Sequence, residues 1–202
     1  MAAMSWHRWL QTPSPTIRVL LTISALCLLG SLAGVTNWLD YQRVAVADGE
    51  VWRLVTAWMA QLNPAHWLVN QGGLVLLALL LPGDWQRQDT RAFAWVWLLS
   101  SLWLAFGPYD QYAGLSGLLY GWLLWALWRS PHYSSLIRLA VAVILAIKVI
   151  SENLSGPNSG GASGVSGFIR GDIAVQSHLA GLIAGALAVL VAWGWRRARN
   201  RH

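Results

Sequence analysis

Five polar side chains stand out because their neighbours are apolar. Ser116 sits in Gly114-Leu115-Ser116-Gly117-Leu118-Leu119-Tyr120, and His178 in Ser177-His178-Leu179-Ala180-Gly181-Leu182-Ile183-Ala184-Gly185. His66 and Asn70 share Pro64-Ala65-His66-Trp67-Leu68-Val69-Asn70, and Lys148 lies near the end of the apolar run at about 136–150. A hydroxyl and an imidazole can together carry out acyl transfer. The imidazole takes the hydroxyl proton and the oxygen attacks a carbonyl carbon. The resulting oxyanion needs donors already in place. His66, the Asn70 amide and the Ser116 backbone N–H are of the right type. Spacings of four place His66 with Asn70, and Ser116 with Tyr120, on one helix face. Tyr120 can then pack on the imidazole.

Each residue alone has a plainer reading. A serine at a helix start is an ordinary cap, and a lone histidine or asparagine in lipid bonds a neighbouring helix. Lys148 can pair with Glu152 one turn on, or snorkel outward; a Ser116–Lys148 dyad is the rival catalytic pairing. Depth favours the serine–histidine pair. Ser116 comes six residues after Asp110 and His178 six after Asp172, so both lie at most roughly 9 Å below a common surface. Gly117 with Gly121, and Gly181 with Gly185, form small-residue stripes that let two helices approach closely in lipid. His178 shares the face of the second stripe. Asp172 is too far up the helix to reach His178, and no acid falls in the runs carrying His66, Ser116 or His178. The expected arrangement is a Ser116–His178 dyad without an acid, a metal or a cofactor.

The elements that must position these groups follow from composition. The 202 residues are 56% hydrophobic and only 11% charged, where a soluble domain carries about 25% charge. There are 15 Trp against 3 Phe, and the mean hydropathy is +0.46. Disordered proteins, coiled coils, nucleic-acid modules and ordinary cytosolic enzymes are excluded. The one cysteine, Cys27, excludes an internal disulfide and lies mid-run, inert.

An all-α, polytopic membrane domain remains. Six spans are expected, at about 17–36, 54–81, 92–106, 115–128, 136–150 and 173–195, the second entering as a separate short piece. Arg8, Arg18, Arg87, Arg91, Arg129, Arg138 and the tail arginines of 196–202 fall on one side of these spans. Arg43, Arg53 and Arg170 fall on the other, with Asp40, Asp48, Glu50, Asp110, Glu152 and Asp172. The positive-inside rule then puts both termini in the cytoplasm, and the net charge of +6 sets topology instead of binding nucleic acid. Ser31-Leu32-Ala33 resembles a signal-peptidase site only weakly. Trp38, Trp52, Trp85, Trp128 and Trp193 read as interfacial anchors.

The Gly/Ser-rich stretch from Ser151 to Asp172 reads as a mobile outer loop, either a slack connector or a gate over the site. Arg170-Gly171-Asp172 is read as chance, and the Asn153-Leu154-Ser155 sequon as irrelevant because it lies too close to a helix end.

Together these residues resemble the rhomboid family of intramembrane serine proteases. Trp52-Arg53 resembles the family's loop-one signature, and His66-x-x-x-Asn70 its oxyanion helix. Gly114-x-Ser116-Gly117 followed by Tyr120 is similar to its nucleophile motif. His178-x-x-Gly181-x-x-x-Gly185 resembles its general-base helix. The small, Trp-rich core looks like the rhombosortase branch. That resemblance implies bacterial inner-membrane localisation, a site opening toward the outer side, and membrane-anchored protein substrates with a C-terminal Gly-Gly, hydrophobic and basic tail. Ser177 departs from the alanine common in the family, and loop one is short. Two other classes compete. Retention of Ser116 and His178 speaks against a silent client-binding relative, and the absence of inverted repeats or acids within the spans against a small transporter. There is no His-Glu-x-x-His, which excludes a zinc intramembrane protease, and no Gly-x-Gly-Asp, which disfavours an aspartyl one.

Overall fold

Polar caps followed by proline decide where two of the long helices begin. Ser14 accepts from the Ile17 N–H and Pro15 opens α1 (Pro15–Leu29). Asn63 accepts from the His66 N–H and Pro64 opens α5 (Pro64–Leu80). Proline loses nothing at such a position, because that N–H has no helical partner anyway. The computed structural model describes residues 12–155, 161–169 and 174–200. Arg8, Arg170 to Asp172, Arg201 and the glycine-rich residues 156–160 of the connector lie outside the described residues.

Between α1 and α5 lie α2 (Val35–Leu39), β1 (Tyr41–Gln42), α3 (Arg43–Ala47) and α4 (Arg53–Thr56). Then follow α6 (Arg87–Phe106), β2 (Gln111–Tyr112), α7 (Ser116–Arg129), α8 (Ser135–Ser155), α9 (Gly161–Ile169) and α10 (Val175–Arg199). The described residues are all-α apart from one two-residue ladder pairing Tyr41 with Tyr112 and Gln42 with Gln111. Among the described residues only α10 is long and apolar enough to cross a membrane by length and composition, with α1 and α5 shorter apolar helices.

The six apolar runs correspond to α1, α5, α6, α7, α8 and α10, with displaced ends. The first run stops early because the Gly30 carbonyl takes the Gln61 N–H and the Thr36 hydroxyl instead of continuing a helix. The second run is divided between α4 and α5 by a buried irregular segment from Ala57 to Gln61. The third starts at Arg87, not residue 92, because Gln86 and Asp89 form a capping box. The stretch 151–172 is not simply a slack loop. It carries the end of α8 and all of α9, whose Ile169 carbonyl accepts from the Asn63 side chain at the start of α5.

The core is built on tryptophan. Trp58 is fully buried and donates to Ser101 at 3.0 Å. Trp122 stacks on Phe93 with ring centroids 4.4 Å apart and donates to the Phe93 carbonyl. Each indole buries a large apolar area while its single N–H finds an acceptor. At the end bearing the N-terminus of α6, Asp89 is only 1% exposed. It accepts two bonds from Arg129, at 2.9 and 3.2 Å, and one from Trp125. The carboxylate thus ties the start of α6 to the end of α7.

Candidate active site

The site begins with a helix pair packed through glycine. A Cβ at Gly181 would collide with the Gly117 carbonyl, and one at Gly185 or Gly121 with the opposite helix's backbone. Only glycine permits this approach of α7 to α10, the most extensive helix contact among the described residues. Ser116 is the first residue of α7 and His178 the fourth of α10. Their helices bring Ser116 Oγ to 3.0 Å from His178 Nε2. His178 is 5% exposed, and the Tyr120 ring lies against it, centroids 4.5 Å apart.

The approach to Ser116 is fixed by Gly114. Its φ of +145° lies in the region that favours glycine. A Cβ there would also stand 2.8 Å from the His66 ring, so His66 lies against the turn leading to Ser116. His66 and Asn70 are buried on one face of α5. The Asn70 amide donates to Gln61 at 2.7 Å, and His66 Nδ1 accepts from the Leu62 N–H. Gln61 is fully buried, and its own amide nitrogen has no partner among the described residues.

Loop one supplies the outer brace. Arg53, 6% exposed, donates to the Asn37 and Asp40 carbonyls and pairs with Asp40 and Glu50. Arg43 reaches across to Asp110 and to the Gly107 and Tyr109 carbonyls. A short loop therefore still holds the turn that precedes Ser116. Tyr109 links that turn to α10, because its hydroxyl accepts from the Ser177 N–H at 3.0 Å. Burial pushes the Tyr109 phenol up to about 12, which keeps it neutral. Ser177, buried beside Gly117, turns its own hydroxyl onto the Ala174 carbonyl.

One expectation is overturned. The expected dyad has no acid beside His178, yet Glu152 Oε2 stands 3.2 Å from His178 Nδ1. α8 runs to Ser155 instead of stopping at residue 150, and that extra turn carries Glu152 inward. Lys148 donates to Glu152 at 2.5 Å and to the Tyr120 hydroxyl at 2.6 Å, so it is engaged away from Ser116. Its spacing of four from Glu152 was the one sequence signal pointing at this acid. No group of three metal-ligating side chains occurs among the described residues.

Residues 48–195 match the Rhomboid domain family. The chain belongs to the rhomboid family. No curated protein matches the chain, nor does any solved structure. As a rhomboid it is a membrane protein, of a family that is typically intramembrane serine proteases. Within this rhomboid, Ser116, His178 and Tyr120 come together beside the α7–α10 contact that Gly117, Gly121, Gly181 and Gly185 make, with Gly114 in the turn leading to Ser116. His66 lies against Gly114, and the Asn70 amide is bonded to Gln61.

Proposed function

We propose that this rhomboid is an intramembrane serine endopeptidase in which Ser116 is the nucleophile and His178 the general base. The observation that carries the reading is the 3.0 Å contact between Ser116 Oγ and His178 Nε2. That distance lies within the range for direct proton transfer. The hydroxyl proton moves to Nε2 as Oγ bonds the scissile carbonyl carbon. The first N–H groups of α7 lack helical partners and face the developing oxyanion, with His66 and the Asn70 amide as further donors. The tetrahedral centre then expels the amine, which takes the proton from Nε2, and water releases the acyl group by the reverse path.

In this reading α1, α5, α6, α7, α8 and α10 cross a bacterial inner membrane, both termini are cytoplasmic, and the site opens toward the outer side. The resemblance to rhombosortases makes the substrates membrane-anchored proteins with a Gly-Gly, hydrophobic and basic C-terminal tail. Substrate enters beside α8, where only Val149 of 21 residues is buried, so that wall is the least held by packing. The deciding experiment is labelling with a fluorophosphonate probe, wild type beside Ser116→Ala. Labelling of the wild type alone supports the nucleophile. An unlabelled wild type sinks the protease and leaves a client-binding rhomboid.

A further inference from the structure

Both ring nitrogens of His178 are engaged, and only one of them faces Ser116. Nδ1 is 3.2 Å from Glu152 Oε2, and the other carboxylate oxygen, Oε1, accepts from Lys148 at 2.5 Å. Lys148 also donates to the hydroxyl of Tyr120, whose ring lies on the imidazole. A simple surface ion pair would not produce this. Glu152 and Lys148 sit four apart on α8 and could meet in solvent; instead the second carboxylate oxygen turns inward, onto a side chain 6% exposed.

We infer that Glu152 is the positioning member of a hydrogen-bonded chain Ser116–His178–Glu152, with Lys148 and Tyr120 holding it in place. The inference rests on the roles proposed above for Ser116 and His178. A neutral imidazole carries one proton. For Nε2 to accept from the serine hydroxyl, that proton must sit on Nδ1, and a buried N–H needs an acceptor. The Glu152 carboxylate is that acceptor, so it selects the productive tautomer. It also faces the positive charge that appears when Nε2 takes the serine proton. Through attack and collapse the Nδ1 proton stays on Nδ1, and Glu152 remains a carboxylate. The only proton that moves goes from Ser116 Oγ to Nε2, and from there to the departing amine nitrogen as the C–N bond breaks.

The acid's address gives it a second consequence. It is carried by α8, the least packed long helix, tied at its start by Arg138 to the Trp128 carbonyl and near its end by Lys148 to Tyr120, Glu152 to His178, and Asn153 to the Val175 carbonyl. The chain is complete only while that end of α8 is docked. Moving α8 aside to admit substrate disconnects Glu152, and its return reconnects it.

The test uses the full-length protein in liposomes with a verified substrate. Glu152→Gln is expected to lower kcat on the order of a hundredfold with KM within about twofold of wild type, because the residue acts on the base and not on binding. Glu152→Asp, which keeps the charge, recovers part of that loss. Independently, 15N-histidine spectra of the wild type show the His178 proton on Nδ1, and the resonance moves in Glu152→Gln. A Glu152→Gln enzyme with kcat within about threefold of wild type overturns the inference, as does a loss confined to KM. A wild-type His178 carrying its proton on Nε2 overturns it even if the variants do not fold. Wild type that labels and cleaves while ignoring Glu152 sinks this chain alone. Wild type that does not label takes down the protease reading and this inference together.

Discussion

Gly117 and Gly181 meet backbone to backbone: a methyl group on Gly181 would run into the Gly117 carbonyl oxygen. These glycines lie one residue after Ser116 and three after His178, so the contact that joins the helices also sets the distance between hydroxyl and imidazole. Gly181→Ala is expected to force α7 and α10 apart, costing roughly 1–3 kcal/mol as overpacking does. A displacement of about 1 Å can cost a hundredfold in rate. Thermal melting with turnover on the same preparation checks this, and an unchanged rate contradicts it.

Ser116→Ala and His178→Ala should each abolish proteolysis while leaving the protein folded in detergent. The double variant should be no worse than either single one, because the pair acts as a unit. Near-normal turnover by either single variant on a verified substrate removes the assignment.

Asn70→Ala and His66→Ala should slow turnover about a hundredfold without eliminating it, the usual worth of one oxyanion donor. The Asn70 amide is bonded to Gln61, so Gln61→Leu should also lower kcat by leaving that amide unaimed. If these changes lower the yield of folded protein and not its rate, the residues are structural.

Asp89 and Arg129 form a buried pair at the end of α7 away from Ser116. Asp89→Ala leaves Arg129 uncompensated and should cost about 3–5 kcal/mol. Surviving folded protein should keep its rate per molecule. A loss of rate without loss of stability would link this end of the bundle to the chemistry.

The proposed Gly-Gly substrates offer a test of access. Unwinding a helix in lipid exposes backbone groups at a cost of several kcal/mol, and glycine helices are already weak. Replacing the Gly-Gly pair of a candidate substrate by Leu-Leu should therefore suppress tail removal, followed by mass. Cleavage at the same bond and rate rejects both the unwinding step and the rhombosortase-like specificity.

Much of this site is legible in the sequence because it is written in helical spacing. Gly181 and Gly185 follow His178 on one face, Gly117 and Gly121 follow Ser116, and His66 precedes Asn70 by four. Periodicity is local, so one line of residues shows which side chains share a face and which helices can come close. The split of the second apolar run into α4 and α5 also shows in its excess length. Glu152 is different. Its approach to His178 depends on how far α8 continues past residue 150 and on how α8 leans against α10, and neither is a property of neighbouring residues. The same holds for Asp89, whose burial depends on Arg129 and Trp125 arriving from another helix. It holds for Arg53, whose partners on loop one come together only once that loop has folded. Helical spacing thus determined the serine, the histidine and the glycines that bring them together. Only packing between helices decided that an acid stands behind the histidine, because a charge is tolerated there only where distant partners surround it.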